Sequence, residues 1–79
     1  MSSVIKLYSS TTCGPCRMMK PVMRQLEKDG YVTQVINIDE LSSETLQELD
    51  ISSVPVTRYK DIEVVGAVPK AELLKRLGL

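Results

Sequence analysis

Seventy-nine residues with ten basic and ten acidic side chains make a chain the size of one small domain, read as a single unit over residues 1–79. Zero net charge argues against a nucleic-acid partner, because bulk positive charge carries most such binding. No apolar run approaches the roughly 20 residues that span a bilayer, so no membrane association is expected.

The absence of histidine excludes a Cys–His nucleophile dyad within the chain, and two cysteines without histidine fall short of a four-ligand zinc site. With no Phe, no Trp and three Tyr, the core must be aliphatic. Met1-Ser2-Ser3-Val4 lacks the basic segment and apolar stretch of a signal peptide, which predicts a cytoplasmic location.

In chain order, residues 4–8 form a short β-prone run, and Ser9-Ser10-Thr11-Thr12 is turn-forming. From Cys13 the period changes. Met19, Val22, Met23 and Leu26 fall at i, i+3, i+4 and i+7, which predicts a helix to about residue 29, closed by Gly30 and kinked at Pro21, which removes one backbone donor. Residues 31–39 are rich in β-branched side chains and read as a second strand.

Ser42 or Ser43 caps a second helix to about residue 49. Residues 54–59 and 62–65 read as a hairpin turned tightly at Lys60-Asp61. Pro69 suits the first turn of a last helix whose Leu73, Leu74 and Leu77 face inward and which Gly78 ends. The order is β-α-β-α-β-β-α. A right-handed first crossover makes strands one and two parallel, and the hairpin adds antiparallel strands. The predicted class is therefore α/β, a four-stranded mixed sheet flanked by three helices, with helices one and three on one face and helix two covering the other.

Cys13-Gly14-Pro15-Cys16 holds the only two cysteines, past the C-terminal end of strand one where open α/β sheets place their sites. Two thiols at this spacing on a first helical turn can close and reopen a disulfide. In a reducing compartment such a pair is catalytic or metal-binding rather than a structural staple. Cys13 is the more exposed thiol, and the positive helix end favours its thiolate, the attacking species. Cys16, one turn deeper, is the resolving thiol, so the pair itself is the redox group and no bound cofactor or metal is required. Pro15 has no N–H to offer a thiolate, and Gly14-Pro15 shapes the gap between the sulfurs. Arg17 adds positive charge beside the pair.

These features resemble the thioredoxin family, in its small form that lacks an N-terminal strand and helix and is similar to glutaredoxins. The matching residues are Cys13-Gly14-Pro15-Cys16, Pro21, Asn37-Ile38-Asp39, Ile51-Ser52-Ser53-Val54-Pro55 and Gly66-Ala67. The resemblance implies a minimal thioredoxin fold and a monomer that reduces protein disulfides, ribonucleotide reductase among its candidate substrates. It also implies a cis Val54-Pro55 bond against the disulfide, with the Val54 backbone free to pair with an extended substrate. Thr12, Val54, Pro55 and Gly66 are then the substrate-binding rim, with Gly66 allowing close backbone approach.

Three positions depart from the family pattern: Thr12 replaces a tryptophan, Leu7 a buried aspartate and Val35 its lysine partner. Lys6 is a candidate replacement for that charge near Cys16.

Arg17, Lys20, Arg24 and Lys28 line one helix face, while residues 29–57 carry six acids and no base, which predicts a dipolar molecule. The electron donor implied is a thioredoxin reductase or, in an alternative reading, glutathione. The acid that follows a glutaredoxin's late glycines is missing from Gly66-Ala67-Val68-Pro69. Two further alternatives are a non-catalytic docking module and an iron–sulfur carrier built from two chains.

Overall fold

Strand β1 (Val4–Ser9) organises the molecule through its alternation. Ile5 and Leu7 are fully buried on one face, while Lys6 between them is exposed on the other. The computed structural model describes residues 4–79. β1 pairs in parallel with β2 (Val32–Asn37) and antiparallel with β3 (Val56–Tyr59), which pairs antiparallel with β4 (Ile62–Val65); the order is β2-β1-β3-β4. The class and element order match the sequence reading.

Helix α1 (Cys16–Lys28) buries Cys16, Met19, Met23 and Leu26 against this sheet and stays continuous through Pro21. Its end is fixed by backbone. The Gly30 amide donates to the Glu27 carbonyl and the Tyr31 amide to the Leu26 carbonyl, with Gly30 at φ +100°, a region that favours glycine. Helix α3 (Lys70–Leu77) adds Leu73 and Leu77 to the same core, which also holds Ile5, Leu7, Tyr59 and Val64. An ion pair from Lys70 to Asp29 links the two helices.

Helix α2 (Ser43–Leu49) is capped by Ser42, whose Oγ accepts from the Thr45 amide at 3.1 Å. None of its residues is fully buried, Leu46 and Leu49 being half-buried. On the second face Tyr8 and Val56 are buried, while Val4, Lys6, Tyr8, Arg58 and Lys60 line a cavity of about 240 Å³. No helix among the described residues is long and apolar enough to cross a membrane.

Candidate active site

The loop from β1 to α1 carries both cysteines. The helix begins at Cys16 rather than Cys13, because Gly14 and Pro15 form a turn and Pro15 occupies the N-cap position. Cys13 thus stands just outside the helix, half-buried, while Cys16 is 1% exposed. The two form a disulfide with Cα atoms 5.3 Å apart, within the usual range for such a bridge. The Cys16 amide, the first of the helix, donates to Cys13 Sγ at 3.2 Å. One of the free N–H groups at the helix start is therefore aimed at the outer sulfur.

The second wall is the loop before β3. Val54-Pro55 is a cis peptide bond, Pro55 is buried, and the Val54 carbonyl oxygen lies 3.6 Å from Cys13 Sγ. Gly66, after β4, donates its amide to the Pro55 carbonyl at 2.8 Å. A Cβ on Gly66 would meet nothing within 4 Å, so close approach is not what requires glycine; its φ of +95° is. Thr12, Gly14 and Pro15 are exposed around the sulfurs. The structure thus brings together Thr12, the Cys13–Cys16 motif, Val54, Pro55 and Gly66.

One sequence expectation is corrected. Lys6 does not replace a charged group near Cys16. Strand alternation puts it on the face opposite Leu7, exposed and beside Arg58 rather than under the sulfurs. Arg17, the residue after Cys16 in the first turn of α1, is exposed. Met19 and Met23 are core, as expected, and Met18 is 69% exposed.

The sequence signal passed over Asp39 as a site residue. Lying just after β2 in the short helical turn Ile38–Glu40, it reaches across to the redox loop. Its carboxylate accepts from the Thr11 hydroxyl at 2.7 Å, from the Thr11 amide at 3.1 Å and from the Ser10 hydroxyl at 3.1 Å. The Thr11 hydroxyl first, then its amide and more weakly Ser10, hold this carboxyl below the usual carboxylate range. Asn37 braces it in turn by accepting from the Asp39 amide at 2.9 Å. The run Asn37-Ile38-Asp39 was visible in sequence, but its partners lie 28 and 29 residues away and no local pattern reveals them.

Comparison with known proteins agrees with this geometry. The family model described as thioredoxin matches residues 1–78. A chloroplastic M-type thioredoxin of Triticum aestivum is 38% identical over 81 residues, covering 91% of this chain and 45% of that protein. A thioredoxin of Listeria monocytogenes is 32% identical over 77 residues, covering 89% of this chain and 75% of the other. The chain thus spans less than half the length of the wheat protein. Among solved structures, reduced Schistosoma mansoni thioredoxin superposes with a TM-score of 0.77 at 24% identity, over 95% of this chain and 75% of that one, which shows the fold.

Proposed function

Because the chain belongs to the thioredoxin family, we propose that it is a thiol–disulfide oxidoreductase that reduces protein disulfides through Cys13 and Cys16. The observation that carries this reading is the asymmetry of the pair. A half-buried Cys13 receives the first helical amide, and a fully enclosed Cys16 is bonded to it.

In the first step the Cys13 thiolate attacks one sulfur of a substrate disulfide. The Cys13–substrate bond forms, the substrate's own S–S bond breaks, and the electron pair leaves on the second substrate sulfur, which takes a proton from water. The Cys16 amide and the positive end of α1 favour the thiolate that this step needs. Cys16 then attacks Cys13, releasing the reduced substrate and regenerating the disulfide. The chain's own disulfide is the redox group.

Thr12, Val54, Pro55 and Gly66 form the rim in this reading. The Val54 backbone receives an extended substrate segment by main-chain pairing, which demands little of the substrate's sequence. Substrates are proteins with an accessible disulfide, ribonucleotide reductase included, met by a monomer in the cytoplasm, where a reducing thiol pool keeps such a pair cycling.

The test is reduction of insulin disulfides with two donor systems in parallel, thioredoxin reductase with NADPH and glutathione with its reductase. Turnover with the first donor is expected. Turnover with glutathione alone would reassign the donor, and no turnover with either would overturn the reading.

A further inference from the structure

In the covered face of the sheet lies a polar group that the reaction above does not use. Thr57 is fully buried, and its Oγ1 has no hydrogen-bond partner among the described residues. Buried hydroxyls are nearly always paired, so an orphan calls for a reason.

Its position in the sheet points toward Cys16. Thr57 pairs with Leu7 across the β1–β3 ladder, which places both side chains on the face that α1 covers. Cys16 and Met19, in the first turn of α1, are buried on that face. Pro55 is also fully buried and lies two residues before Thr57, and the carbonyl preceding it is the one beside Cys13 Sγ. Two strand residues span about 6.6 Å, one side-chain layer. No acidic or basic side chain is buried in the described residues; the buried polar ones are Ser9 and Thr57.

We propose that Thr57 is a positioning residue for Cys16: once the Cys13–Cys16 bond is open, its hydroxyl donates to the Cys16 sulfur, directly or through one water. The inference rests on the disulfide-exchange reading above. As Cys16 attacks, the Cys13–Cys16 bond forms, the bond to substrate breaks and the electron pair leaves on the substrate sulfur. Thr57 keeps its own proton throughout, holding the attacking sulfur and stabilising its negative charge. When the disulfide closes, the sulfur ceases to be a strong acceptor and the hydroxyl is left without a partner, as observed.

The experiment equilibrates the pair against dithiothreitol in the parent chain and in Thr57→Val, Thr57→Ser and Ser9→Ala variants. Valine keeps the shape and removes the hydroxyl. It is expected to move the equilibrium about three- to tenfold toward the disulfide, the net worth of one hydrogen bond, with tenfold corresponding to about 30 mV. Serine is expected to restore the parent value, and Ser9→Ala to leave it unchanged. Thr57→Ala replaces the valine should that variant fail to fold.

An equilibrium that ignores the loss of the Thr57 hydroxyl, or that moves with Ser9 instead, overturns the role of Thr57 alone. A parent pair that does not exchange with dithiothreitol at all overturns the proposed function with it.

Discussion

On one face of the sheet Ile5, Leu7, Tyr59 and Val64 meet the leucines and methionines of α1 and α3. On the other, Val4, Lys6, Arg58 and Lys60 surround an open cavity of about 240 Å³. On that second face Tyr8 and Val56 are nonetheless buried. The Arg58 guanidinium lies 5.6 Å from the Tyr8 ring centre and pairs with Glu63 at 2.8 Å. Both faces come from the same strands, so the difference lies in what packs on them and not in strand propensity. The redox loop enters α1 at the end of the covered face. Its inner cysteine is held by the same helix that gives Met19, Met23 and Leu26 to the core.

The sharpest test of this division acts on the cysteines themselves. Cys13→Ser is expected to reduce disulfide turnover to background. Cys16→Ser, which leaves the outer thiol intact, is expected to stall as a covalent mixed disulfide visible by mass spectrometry. If Cys16→Ser turned over normally, the outer cysteine would be acting alone and the buried position of its partner would have no catalytic meaning.

Next in size is a contrast between adjacent residues. Leu7→Ala removes a fully buried side chain from the covered face and is expected to cost about 2–5 kcal/mol in urea unfolding. Lys6→Ala, one residue away on the open face, is expected to stay within about 0.5 kcal/mol of the parent. Comparable losses at both positions would mean that something covers the second face in solution.

A smaller effect is expected at the rim. Gly66→Ala places a side chain at φ +95°, for a cost of about 1–3 kcal/mol although a Cβ there meets no neighbour. Since Gly66 donates to the Pro55 carbonyl, weaker substrate binding should accompany the lost stability, read as a raised KM. A neutral substitution would show that the loop adapts.

Most of the covered face was legible in the sequence. The stripe of Met19, Met23 and Leu26, the Ser42 cap and the two-residue turn at Lys60-Asp61 are local patterns with local causes. The open face was not legible. Alternation alone sets Lys6 opposite Leu7, but whether a given position on that side meets solvent, as Lys6 does and Tyr8 does not, is a tertiary matter. The helix starts at Cys16 and not at Cys13 because Gly14 and Pro15 form a turn ahead of it. Asp39 and Thr57 escaped notice for a related reason. One is a surface acid and the other a strand threonine until the fold supplies, or withholds, their partners.

The smallest expected effect, and the one that separates loop from core, concerns pH. Asp39 accepts from Thr11 and Ser10, which lowers its folded pKa below the unfolded value near 3.8. The stabilisation from these bonds is therefore fully present above the unfolded pKa and is lost as pH falls through the lower folded value. Thermal unfolding followed from about pH 5 downward should show a decline in the parent chain that is shallower in Asp39→Asn, because the variant has no charge there to lose. The exposed clamp holds the redox loop and not the core, so Asp39→Asn should disturb the rate of Cys13 alkylation at neutral pH more than it disturbs global stability. An alkylation rate of the reduced chain unchanged by the substitution would show that the Cys16 amide and the Val54 carbonyl hold Cys13 in place without the clamp.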